Sequence, residues 1–99
     1  MLKIDDGVRS THEADGGVIL DINHGRMFTL NIVGSKIVGM LERGFDESQI
    51  VEEITHFFKI RYDIVERDVH EFLQCLETHK LLQPVSHSSG DVQYRKNLL

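Results

Sequence analysis

The spacing of apolar positions changes once along the chain, from about two to about three or four, within the segment from Gly16 to Arg43. Before the change, Val18 to Leu20 and Met27 to Leu30 are β-favouring runs, separated by the turn-rich Asp21-Ile-Asn-His-Gly25. This pattern predicts a hairpin of residues 17–21 with 26–30. Val8 to His12 is a weaker strand, followed by the turn-like Glu13-Ala-Asp-Gly-Gly17. The three strands form a meander. Alternation on the last one places Phe28 and Leu30 in the core and Met27 and Thr29 on the opposite face.

After the change the spacing is helical. Asn31 is a suitable N-cap for a helix to about Arg43 with Val33, Ile37, Met40 and Leu41 inward. Gly34 and Gly39 each cost such a helix about 1 kcal/mol relative to alanine, which points to close packing. Gly44 ends it, and Asp46 with Gln49 makes a capping box for a second helix. Its stripe is Ile50, Val51, Ile54, Phe57 and Phe58, and it finishes near Lys59. Asp63 and Glu66 repeat the capping-box spacing and open a third helix to about His79, with Val65, Val69, Phe72, Leu73 and Leu76 inward. Leu81 and Leu82 close the core. The expected fold is α+β, a three-stranded antiparallel sheet followed by a three-helix bundle in residues 1–82. Residues 83–99, polar and aperiodic, read as a mobile tail.

Composition narrows the function. A single domain of 99 residues has room for a shallow surface site rather than a deep active site. A net charge of −5 opposes nonspecific attraction to nucleic acid or anionic membranes. Cys75 is the single cysteine, so an intrachain disulfide is impossible and a cysteine-based zinc site lacks ligands, which suits a reducing cytoplasm. The first residues hold no signal-peptide core, and no apolar run approaches the roughly 20 residues needed to span a bilayer.

Candidate chemistry is sparse. His12, His24, His56, His70, His79 and His87 do not cluster at metal-ligand spacing, and surface or tail roles account for them. Cys75 has no base placed beside it by any sequence signature and reads as a half-buried, inert thiol. No Lys-Ser/Thr follows the glycines as a phosphate loop requires. Asp5-Asp6 and Glu52-Glu53 belong to no acid–base motif. The sequence predicts no catalytic residue, cofactor or metal.

The hairpin edge is the stronger feature, because an unpaired strand offers main-chain donors and acceptors to an extended peptide. The bland alternative is an ordinary edge strand blunted by Arg26. On the third helix, Ile64, Asp68, Glu71, Cys75 and His79 flank one side of the inner stripe, and Glu66, His70 and Glu77 flank the other. The first flank is the more apolar. A groove is therefore expected between it and the strand Arg26, Met27, Phe28, Thr29, Leu30, with Phe72 and Leu30 as floor. Asp68 and Glu71 are placed to pair with basic residues of a peptide, each exposed pair contributing only about 0.2–1 kcal/mol, so apolar anchors should dominate.

The run Asp21-Ile-Asn-His-Gly-Arg-Met-Phe-Thr-Leu-Asn31, then Gly34-Ser-Lys-Ile37, then Asp68-Val69, Phe72-Leu73, Leu76 and Leu81-Leu82, resembles the PqqD family, peptide chaperones also described as RiPP recognition elements. The similarity spans roughly Val8 to Leu82. It implies a winged-helix-like arrangement that binds the leader segment of a ribosomally made precursor peptide. The leader would add as a strand beside Arg26 to Leu30 and lie against the helix from Ile64 to His79. It implies no catalysis, and delivery to a modifying enzyme such as a radical SAM protein, or to a leader peptidase. Two positions depart from the family pattern: Val38 stands where tryptophan is common, and Lys80 where glycine often precedes the final leucine pair.

Two other functions compete. Helices two and three have helix-turn-helix proportions, as in a winged-helix DNA-binding regulator. Against it, Arg61 to Lys80 carries three cations and five carboxylates, the wrong sign for phosphate attraction. The edge strand can also self-pair in a homodimer.

Overall fold

The computed structural model describes residues 2–84. Eight elements follow one another: β1 (Leu2–Ile4), β2 (Val8–Glu13), β3 (Gly16–Asp21), β4 (Arg26–Leu30), α1 (Ile32–Glu42), α2 (Glu47–Phe58), α3 (Tyr62–Thr78) and β5 (Leu82–Pro84). The predicted meander is present as an antiparallel sheet in the order β2-β3-β4, with Ile19 opposite Phe28 and Asp21 opposite Arg26. Among the described residues β2 and β4 are its two free edges.

A two-stranded ribbon of β1 and β5 was not expected from the sequence. Leu2–Ile4 pairs with Leu82–Pro84, and the Asp5 N–H donates to the Leu81 carbonyl at 2.9 Å. Each strand is three residues long and stable only beside a partner distant in sequence, so neither leaves a local periodic signal. The ribbon takes in Gln83 and Pro84, the first two residues of the expected tail of residues 83–99; the rest of that tail lies outside the described residues.

α1 packs on the sheet, on β1 and on α2, while α2 packs on α3. Ile19, Val38 and Ile50 are completely buried between these layers. Val38, where the resembled family commonly has tryptophan, is thus a core position. Phe28 and Leu30 pack against this core and remain half-buried, while Met27 and Thr29 are exposed, as the alternation predicts.

The caps explain the helix boundaries. Asn31 accepts from the Gly34 N–H at 2.8 Å. The predicted capping box is present: the Gln49 N–H donates to Asp46 at 2.8 Å, and the Asp46 N–H donates to Gln49 at 2.9 Å. The third helix departs from expectation. It begins at Tyr62 after Arg61 without a side-chain cap, so Asp63 lies inside the first turn and pairs with Arg61 at 2.7 Å instead of capping. Its carboxylate still favours the positive helix end.

α1 and α3 end in the same paired hydrogen-bond pattern. Gly44 and Phe45 donate back to Leu41 and Met40, and Lys80 and Leu81 donate back to Glu77 and Leu76. This needs a left-handed residue after the cap: Gly44 has φ 89° and Lys80 φ 62°. Lys80 thus occupies the conformation for which the family's glycine is suited, at a cost of about 1 kcal/mol or more.

Phe57 also departs from expectation. It was expected on the inner stripe of α2 but is 62% exposed. Its ring lies edge-on to Phe58, centroids 4.9 Å apart, with Lys36 Nζ 4.1 Å from its centre. At the last turn of α2 it sits beside the outward side of α1, where the core has ended.

The two α1 glycines differ in kind. A Cβ on Gly34 would stand 3.2 Å from the Phe72 ring and 3.3 Å from Asn31 Oδ1, so this glycine admits Phe72 against the helix. A Cβ on Gly39 would meet only His12, at 4.0 Å, and the expected close packing is absent there. Gly39→Ala should therefore raise stability by about 0.5–1 kcal/mol, whereas Gly34→Ala should forfeit that gain. Urea unfolding with unchanged m-value checks both; equal gains would refute the packing role of Gly34.

Candidate functional site

The start of β4 is joined to the end of α3. The joint is built on Arg26. Its guanidinium donates from Nη2 to Asp21 Oδ2 at 2.6 Å and to the His79 carbonyl at 2.6 Å, and from Nε to Asp21 Oδ2 at 3.1 Å. The same group lies 5.3 Å from the centre of the Phe28 ring, and Phe28 meets the His79 ring edge-on at 5.2 Å. One side chain thus links β3, β4 and the end of α3. Arg26 points inward and is not the outward charge that would blunt the edge.

Asp21 is 3% exposed and also receives His24, with Nδ1 2.9 Å from Oδ2. Hydrogen bonding from Arg26, with His24 assisting, holds its carboxyl below the usual range even though burial opposes ionisation.

An apolar cavity of about 320 Å³ lies among the three helices and reaches the sheet only at Asn31, the residue after β4. Ile64, Asp68 and Phe72, all predicted for the site, line it from α3. The remaining walls include Val33, Gly34 and Ile37 of α1, and Ile54 and Ile60 from α2 and the turn after it. The sequence reading omitted these walls; the mid-helix Gly34, which seats Phe72, was the one signal pointing to them. Asp68 supplies a carboxylate beside an otherwise mainly apolar surface, and its pairing with Arg67 at 3.8 Å is solvent-exposed.

The other predicted residues divide by position. Leu30 is half-buried against the core and does not line the cavity, while the side chains of Met27 and Thr29 lie on the opposite face of the sheet, leaving only their main chain at the edge. Glu71 is exposed on the predicted flank. Cys75 is exposed rather than half-buried. Its Sγ is 3.7 Å from His79 Nδ1, but that nitrogen is 2.9 Å from the Cys75 carbonyl and donates there, so it is not a base for the thiol. No helix among the described residues is long and apolar enough to cross a membrane.

What is assembled is a strand edge about 17 Å long, free among the described residues, and an apolar cavity among the helices with one carboxylate, which meets the strand only at Asn31, the residue after β4. This geometry suits an extended peptide. No curated protein matches the chain in sequence. Two solved structures are similar. TbiB1 in complex with the TbiA(beta) leader peptide has 36% identity and a TM-score of 0.79, covering 86% of this chain and 99% of that one. Lasso peptide synthetase B1 complexed with the leader peptide has 20% identity and a TM-score of 0.75 over 84% of this chain and 98% of that one, a likeness of fold. The sequence profile described as Coenzyme PQQ synthesis protein D (PqqD) matches residues 16–82, which takes in the β3–β4 hairpin, all three helices and the closing Leu81-Leu82, and the chain belongs to the PqqD family.

Proposed function

We propose that this protein binds the leader segment of a ribosomally made precursor peptide as a fourth strand on β4 and presents it to a separate enzyme, such as a radical SAM protein or a leader peptidase, without doing chemistry itself. The observation that carries the reading is the β4 edge, free among the described residues, with the cavity of Ile64, Asp68 and Phe72 starting at Asn31, one residue beyond its end. Family membership and the leader-bound state of the similar TbiB1 support it.

In this reading main-chain hydrogen bonds supply much of the affinity and side-chain pockets the selectivity. Five residues of β4 suit a leader strand of five or six. One apolar leader side chain enters the cavity, and Asp68 favours a basic neighbour. Arg26, Phe28 and His79 close the far end and set the register.

Strand addition has a specific signature. Alternate leader N–H groups face β4, and each hydrogen bond contributes about 0.5–1.5 kcal/mol. N-methylation at those positions adds a steric clash to the lost bond and should weaken binding at least tenfold. Methylation at the intervening positions should have little effect. Fluorescence-anisotropy titration of a methyl-scanned leader checks this, and uniform tolerance along the strand would overturn it.

A further inference from the structure

Presentation requires a second surface that the leader does not cover. Resting on the leader-binding reading, we propose that the outward stripe of α1 docks an acidic amphipathic helix of the enzyme that receives the leader. Ile32, Lys36, Gly39 and Arg43 recur at i, i+4, i+7 and i+11, one continuous line down α1 to its C-cap, with Phe57 of α2 alongside. The cleft they line reaches the β2 side of the sheet, away from the β4 edge.

Three observations select this occupant. A Cβ on Gly39 would meet only His12, at an uncrowded 4.0 Å, although glycine disfavours a helix, so no close packing within the domain explains the missing side chain. An incoming helix does, because the absence of a Cβ allows close axial approach. Phe57 and Ile32 are 62% and 49% exposed, and Phe57 is held between Phe58 and Lys36, a rigid aromatic of the kind that anchors interfaces. Lys36 and Arg43 have no carboxylate partner at ion-pair distance among the described residues, in a chain of net charge −5. Acidic groups on the partner complement them.

The neighbouring polar groups are already satisfied. His12 contacts Ser35 Oγ at 2.6 Å through Nδ1, and Ser10 Oγ at 3.0 Å and Glu42 at 3.2 Å through Nε2. These bonds fasten β2 to α1 and make a stiff floor. Glu42 is thereby engaged, leaving Glu13 at the rim. A stripe about 17 Å long is too small for an obligate interface and suits a transient encounter.

The test uses the whole chain with a candidate leader peptide and a purified candidate radical SAM protein or leader peptidase, both taken from reading frames neighbouring this chain's gene. Surface plasmon resonance gives both affinities. Gly39→Leu and the double variant Lys36→Glu/Arg43→Glu should each lower enzyme affinity at least tenfold with leader affinity unchanged within twofold, and the charge-reversal effect should shrink with added salt. Unchanged enzyme affinity in both variants, or no enzyme binding by the wild type, would overturn the proposal. So would a wild-type dimer in sedimentation velocity that Gly39→Leu dissolves, which assigns the stripe to self-association. A chain that binds enzyme through the stripe but not leader would instead sink the groove reading.

Discussion

Arg26→Gln should weaken leader binding at least tenfold while leaving the sheet and the three helices folded. The guanidinium joins the buried Asp21 to the His79 carbonyl and lies against Phe28, so it sets the spacing of β4 and α3 at the closed end of the groove. Glutamine cannot make the paired contact with Asp21 and also reach across to α3. The groove then loses its preset width, and ordering it must draw on binding energy. Arg26→Lys keeps the charge without the planar fork and should fall between the two. Anisotropy titration of the leader, with hydrogen exchange across β4 and the end of α3, checks the effect; tight binding by Arg26→Gln with faster exchange would show that the joint stabilises the fold without shaping the groove.

The same link makes a pH prediction. Arg26 lowers the Asp21 pKa in the folded protein, so its ionised form is favoured over the unfolded chain, where an aspartate titrates near about 3.9. The associated stability is present above the unfolded value and is lost as pH falls through the depressed folded one. Melting temperatures of wild type and Arg26→Gln should therefore differ most near neutrality and converge in acid. A gap that does not change with pH would detach Asp21 from the joint.

Phe72→Ala should have the largest combined effect, lowering stability by about 2–3 kcal/mol and leader affinity about a hundredfold. The ring fills the space that Gly34 leaves open and lines the cavity from α3. Full truncation of a buried phenylalanine costs about 3–5 kcal/mol, and half-burial puts Phe72 below that. The hundredfold loss corresponds to about 2.7 kcal/mol, within the range of an interface anchor. It should be insensitive to salt, unlike any effect at Asp68. Urea unfolding and leader titration separate the two losses. A destabilised Phe72→Ala that keeps leader affinity within twofold would move the floor of the groove elsewhere.

Much of the fold could be read locally. The hairpin follows from two β-favouring runs around Asp21-Ile-Asn-His-Gly25, and the starts of α1 and α2 from Asn31 and the Asp46–Gln49 box, whose hydrogen bonds close within three residues. Spacing on α3 also singled out Ile64, Asp68 and Phe72, which line the cavity, because a cavity wall shares a helix face with the core. The same reasoning misplaced Asp63, since capping-box spacing does not reveal that the helix already begins at Tyr62, with Arg61 as its N-cap.

Periodicity along the sequence determined the three central strands, the three helices and which face of each seeks burial. Tertiary structure alone decided that β1 and β5 meet, that Phe57 turns outward, that Arg26 reaches the end of α3, and that α1 and α2 complete the cavity. The difference is one of range. A helical stripe or a cap is set by interactions among residues a few positions apart, whereas Arg26 and His79 are separated by 53 positions and meet only once the sheet, α1 and the packed helices have fixed where each of them lies.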